Sequence, residues 1–102
     1  MTLTTQHDSN TAHTTLSISG HFTFHMHREF TAAIKTIDTK ARRVTVDLSG
    51  AEYMDSAGLG LLVQMHNKLG ATEKILKIAQ GSLIDDILRV ANFDKLFAIN
   101  YA

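Results

Sequence analysis

Hydrophobic and polar residues along this chain follow two periods, and the switches between them mark its elements. "TTLSISG" sets Leu16 and Ile18 against Thr15, Ser17 and Ser19, the two-residue period of a half-buried strand, predicted to stop at Gly20. A weaker strand precedes it around Thr2–Gln6, in a polar first dozen residues expected to be partly frayed. "HREFTAAIKTID" changes to the helical period, with Phe30, Ala33, Ile34 and Ile37 at i, i+3, i+4 and i+7. "RRVTVDLSG" returns to alternation through Val44, Val46 and Leu48, predicting a strand that closes at Gly50. A second helix is predicted from Ser56 to Leu69, with Gly70 as its C-terminal stop. "KILKIAQ" reads as a largely buried strand interrupted only by Lys77. "GSLIDDILRVANF" opens with Ser82 and Asp85 in capping-box spacing and carries Ile84, Ile87, Leu88 and Ala91 on one face of a third helix. "LFAIN" reads as a terminal strand. Strand and helix alternate, which predicts one α/β domain over residues 1–102 with helices packed on a sheet.

Composition narrows the function classes. The chain has 102 residues, ten basic and ten acidic, for zero formal net charge. Balance of that kind argues against non-specific nucleic-acid binding, which needs a basic patch to displace counterions. No apolar run reaches about 18 residues, so no membrane insertion is expected. "MTLTTQHDSN" lacks the apolar core of a signal peptide, and the chain has no cysteine, which excludes disulfides and thiol catalysis. The expectation is a soluble cytoplasmic domain.

The second helix carries the candidate chemistry. On a wheel of about 100° per residue, Gly58, Leu61, Leu62, Met65 and Leu69 face the sheet. Ser56, Gly60, Val63 and Asn67 fall on the other side, with Leu59 at its margin. That outward face carries no charge, where a merely solvated face would carry Lys and Glu. Small, uncharged, partly apolar surface suits docking by another protein, although single surface apolar residues are also ordinary. Asp55 fits the N-cap position and places Ser56 at the first helical residue. There free N–H groups and the helix dipole can accommodate an added phosphate, or Ser56 can act as a second cap. A nucleophilic serine would need a base and an oxyanion hole, and the segment is not a Gly-x-Ser-x-Gly elbow. The lysine of a phosphate-binding loop is missing as well.

"VTVDLSGAEYMDSAGLGLLV" closely resembles the signature of STAS domains, named for sulfate transporters and anti-sigma-factor antagonists. The resemblance rests on Asp47, Leu48, Ser49, Asp55, Ser56, Gly58 and Leu59, extends upstream to "LSISGHFT", and covers nearly the whole chain. It implies a four- to five-stranded mixed sheet with helices mainly on one face, no cofactor and no catalytic activity of its own. It also implies the antagonist type of switch. A serine kinase related to anti-sigma factors phosphorylates Ser56, a serine phosphatase removes the phosphate, and the unmodified form binds the partner. On the outward face given by the wheel, the expected partner-binding residues are Asp55, Ser56, Leu59, Gly60, Val63 and Asn67. The alternatives are an accessory STAS subunit of a transport or sensory complex in which Ser56 is never modified, and a small hydrolase using Ser56 with a histidine.

The loop "HFTFHMHREF" departs from many antagonists, which carry an acidic residue near this strand end. His21, His25 and His27, with Glu29, could in principle ligate a divalent metal. The favoured expectation is no metal: alternation of Phe22, Phe24 and Met26 would bury the apolar side and leave the histidines outside. Arg42 and Arg43 read as solvated charge at a sheet edge, and Asp85 and Asp86 as acids at a helix N-terminus.

Overall fold

In the computed structural model, which describes residues 2–37 and 41–102, five strands form one sheet in the order β1-β2-β3-β4-β5. β1 (Thr2–Asp8) pairs antiparallel with β2 (His13–Phe22). β3 (Arg43–Met54), β4 (Glu73–Ile78) and β5 (Ala98–Tyr101) continue in parallel. Helices α1 (His27–Lys35), α2 (Ser56–Leu69) and α3 (Leu83–Val90) connect successive parallel strands. Every crossover steps the same way along the sheet, so right-handed connections carry all three helices to one face. There Leu16, Ile18, Val44, Val46, Leu48, Leu76 and Ile78 meet Phe30 and Ile34 of α1, Leu61, Leu62 and Met65 of α2, and Ile84 and Leu88 of α3. The other face is left open, and its shallow depressions are lined by strand residues alone.

Several local expectations are corrected. Gly20 and Gly50 do not end their strands. β2 continues to Phe22 and β3 to Met54, with Ser19 opposite Gly50, Gly20 opposite Ala51 and Phe22 opposite Met54. Register shifts on either side of Ser19–Gly20, where Gly20 takes φ 82°, absorb the irregularity. Burial of Phe22, Ala51 and Met54 sustains pairing beyond the glycines. The weak first strand is paired along its whole length, from Thr2 opposite Ser19 to Asp8 opposite His13. α1 ends at Lys35, where the Thr36 hydroxyl donates to the Ala33 carbonyl at 2.7 Å; Asp38, at the end of the expected helix, lies outside the described residues. Phe22, Phe24 and Met26 do not alternate, because Phe24–Met26 form a 3₁₀ turn. Phe22 and Met26 are buried, whereas Phe24 is 67% exposed and stacks on His27.

Charged side chains supply the remaining surprises. Lys74 is buried at the start of β4, and its ammonium donates to the carbonyls of Gly70 and Thr72 just past the end of α2. A cation there complements the negative end of the helix dipole. Arg43 stands at the start of the central strand, not at a sheet edge, and pairs with Glu73 at 3.2 Å. The third helix is capped as its spacing predicts, with Ser82 Oγ accepting from the Asp85 amide at 3.2 Å. Asp85 answers one residue further back than a capping box requires, accepting from the Gly81 amide at 2.9 Å. Only 2% exposed, it also accepts from Arg89 Nη2 at 3.1 Å and the Tyr101 hydroxyl at 3.3 Å, tying α3 to β5. The Gly81 N–H, with help from Arg89 and Tyr101, holds its carboxyl below the ordinary value of 3.8, against the upward push of burial.

The approach of α2 to the sheet depends on Gly58. A Cβ there would lie 2.3 Å from the Phe22 carbonyl oxygen and 2.8 Å from Met54 Cγ, whereas at Gly60 it would meet nothing within 4 Å. The two glycines, two residues apart on one helix, therefore predict opposite outcomes. Gly60→Ala should stabilise by about 0.5–1 kcal/mol through helix propensity alone. Gly58→Ala should lose about 2 kcal/mol or more, because overpacking against backbone outweighs the same gain. Urea denaturation of the two variants checks this, and equal shifts would contradict the close approach. Asp85 predicts a pH dependence. Its folded pKa is lowered, so its contribution is full above the unfolded value, about 3.9, and is lost as pH falls through the folded value. The stability of Asp85→Asn should decline less steeply than that of the wild type below about pH 4, as read by denaturation across the acid range; parallel acid limbs would refute the assignment.

Candidate functional site

α2 starts where its sequence predicts. Asp55 is the N-cap in extended conformation, and its Oδ1 accepts from the Gly58 amide at 2.8 Å. Ser56 follows as the first helical residue and is exposed. The first turn contains no acidic side chain, so the cap carboxylate is the negative charge that faces its free amides. Gly58, Leu61, Leu62 and Met65 are buried and Leu69 is partly buried, as the wheel requires. On the outward side Gly60 and Asn67 are exposed, while Leu59 and Val63 are partly buried against the core. The structure thus brings Asp55, Ser56, Leu59, Gly60, Val63 and Asn67 onto one helix surface that carries no charge beyond its cap.

Three neighbouring features escaped the sequence. Parallel pairing of β2 and β3 sets His21 opposite Tyr53 and Phe22 opposite Met54, at the sheet end from which α2 departs. Tyr53 is partly exposed there and contacts the His21 ring edge-on, with centroids 5.7 Å apart. Phe24 projects from the following turn. On the other flank, Leu59 joins Ile87 and Val90 of α3, and Ala91 just past its end, in an apolar groove of about 350 Å³, with Asp86 at its margin. Val90 is 83% exposed. A signal for this groove was present, since Leu83, Ile87 and Val90 sit at i, i+4 and i+7, a second apolar stripe beside the core stripe. Ala91, expected on one face with Ile84, Ile87 and Leu88, is exposed and lines this groove instead.

Five of the six histidines make local contacts. His7 Nδ1 and His13 Nε2 lie 2.8 and 2.7 Å from the hydroxyls of Thr14 and Thr45, and His66 packs edge-on against Phe97. His21 faces Tyr53 and His27 stacks on Phe24, while His25 is exposed. Among the described residues, no three histidine or carboxylate side chains are grouped to hold a metal ion. No helix among them is long and apolar enough to cross a membrane.

Comparison with known proteins agrees with this geometry. The family model described as "Mlab, STAS domain" matches residues 5–98. A STAS-domain-containing protein of Pseudomonas aeruginosa is 34% identical over 87 residues, spanning 84% of this chain and 86% of that protein. An anti-sigma-factor antagonist from Mycobacterium paratuberculosis superposes with a TM-score of 0.80 at 22% identity, over 97% of this chain and 86% of its own. The unphosphorylated anti-sigma-factor antagonist SpoIIAA gives 0.76 at 18% identity, over 99% and 89%. A sulfate transporter family protein from Wolinella succinogenes gives 0.72 at 14% identity, over 88% and 78%. These structural likenesses establish a shared fold. With a family match across nearly the whole chain and a relative one-third identical over most of both lengths, the chain belongs to the STAS domain family.

Proposed function

We propose that this domain is a non-enzymatic protein-binding switch of the anti-sigma-factor-antagonist type, set by reversible phosphorylation of Ser56. The observation that carries the reading is the placement of an exposed serine at the start of α2, on an uncharged surface that runs through Leu59 into the apolar groove of α3. Supporting it is the likeness to SpoIIAA, whose fold has been solved in unphosphorylated and phosphorylated forms. In this reading the unmodified domain docks a kinase-like partner in the cytoplasm over Asp55, Ser56, Leu59, Gly60, Val63 and Asn67, and a serine phosphatase restores that form.

The switch follows from electrostatics. Phosphorylation adds about −1.5 to −2 charges beside Gly60, Val63 and the Asp55 carboxylate. A partner that meets this surface with apolar atoms must desolvate that dianion, at a cost of several kcal/mol. About 1.4 kcal/mol is already tenfold in affinity, so charge alone is sufficient to release the partner. The free amides of the first helical turn favour the same phosphate when no partner is bound.

A second reading is an accessory subunit of a transport or sensory complex, permanently docked through the same surface without modification. The likeness to a sulfate transporter family protein favours it. Phosphate-affinity electrophoresis of protein taken from cells, beside Ser56→Ala, separates the two. A Ser56-dependent shifted band is expected for the switch, and its absence under every growth condition would leave the accessory reading. Affinity capture with Ser56→Ala and mass spectrometry should identify the partner. Against that partner, Ser56→Ala should bind as the unmodified protein does, and Ser56→Asp roughly tenfold more weakly, about 1.4 kcal/mol. Undiminished binding by Ser56→Asp would count against the charge mechanism. Val63→Glu should weaken docking at least as much while remaining folded by circular dichroism; unchanged affinity in titration calorimetry would move the interface elsewhere.

A further inference from the structure

A cavity of about 330 Å³ lies between α3 and β5, at the sheet margin away from β1. Small-molecule sites fall in the range of roughly 300–1,000 Å³, so its volume suits a small ligand. The floor is apolar, formed by Ile78, Leu88 and Ile99. One wall is held rigidly, because the buried Asp85 carboxylate accepts from Gly81, Arg89 and Tyr101 and so ties α3 to β5. With both oxygens engaged, Asp85 acts as the anchor of the site.

Two charges at the rim remain available. Arg89 contacts Asp85 through Nη2, and its side chain is 66% exposed, leaving other donors of the planar guanidinium for a second anion. Asp94 lines the same cavity and pairs with no basic side chain among the described residues. Between them Asn92, in the left-handed conformation with φ 59° and ψ 35°, adds an amide to the lining. A cation and an anion therefore border one apolar floor.

We infer that this cavity binds a small zwitterion with an apolar side chain, that is, a free α-amino acid of the leucine or phenylalanine type. Its carboxylate meets Arg89, its ammonium meets Asp94, and its side chain covers Leu88 and Ile99. A simple carboxylate would leave Asp94 beside a like charge, and a simple amine would do the same at Arg89. α3 separates this cavity from the docking groove: Leu88 and Arg89 line one flank of the helix, Ile87 and Val90 the other.

The test is a titration of the ¹⁵N-labelled protein with L-leucine, followed by amide chemical shifts. Isocaproate and isoamylamine serve as analogues that lack the ammonium and the carboxylate. Saturable shifts are expected at Arg89, Asn92, Asp94 and Ile99, with each analogue binding about threefold or more weakly, in keeping with the loss of an exposed ion pair. Asp94→Asn lies outside the Asp85 network, so it should keep the wild-type unfolding midpoint. It should lower leucine affinity roughly two- to fivefold and leave isocaproate binding unchanged or improved. Absence of a saturable shift, shifts mapping away from the cavity, or an analogue that binds as tightly as leucine would overturn the inference.

Discussion

The seat of α2 against the end of β2 depends on one missing methyl group. A side chain at residue 58 would run into the Phe22 carbonyl oxygen at 2.3 Å, so the helix can lie at this depth only with glycine there. Depth decides which residues are hidden. With Gly58 pressed onto β2, the buried stripe is Leu61, Leu62 and Met65, and Ser56 and Gly60 are left on the surface. Asp55 then fixes the first turn by accepting from Gly58 itself, so the residue that permits contact with the sheet is also the one that receives the cap. Cap, close approach and exposed serine form one unit of sequence.

That concentration explains what could be read in advance. The bounds of α2, its cap and both of its faces follow from local signals: an aspartate before the helix, a glycine after it, and a 3.6-residue apolar period between. The strand ends did not follow, because a glycine reads locally as a stop. Gly20 and Gly50 instead lie within paired strands, and only burial of Phe22, Ala51 and Met54 by distant residues shows why pairing continues. Phe24 departs from its expected position for a related reason. Alternation assigns it to a buried strand face, but two residues of strand give way to a 3₁₀ turn that sends its ring outward.

Long-range polar contacts were equally hidden. Lys74 alternates with Leu76 and Ile78 and so belongs to the buried face, yet lysine is rarely buried unless its charge is satisfied. The end of α2 satisfies it, through the carbonyls of Gly70 and Thr72, which no period in the sequence brings beside it. Asp85 lies in the correct spacing for a capping box, but its reach to Tyr101 on the last strand depends on sheet order. The Ser56 surface was legible because one helix builds it. The groove beside it needed two helices, and the cavity behind α3 needed a helix and a strand.

The two capped helix starts illustrate how similar chemistry yields different availability. At α3 the cap, Ser82, is joined by Asp85, an acid within the first turn that is buried and engaged by three donors. Negative charge is already installed there and satisfied by the protein. At α2 the acid sits one residue before the helix, and the first turn holds a serine, an alanine, a glycine and a leucine with no acid of its own. Its dipole is complemented by a single carboxylate, and the surface beyond it is apolar and uncharged. A negative charge added to α3 would meet Asp85 and Asp86, whereas at Ser56 it would meet amides on one side and apolar surface on the other. Of the two, α2 is the one that keeps an exposed hydroxyl and no acid in its first turn.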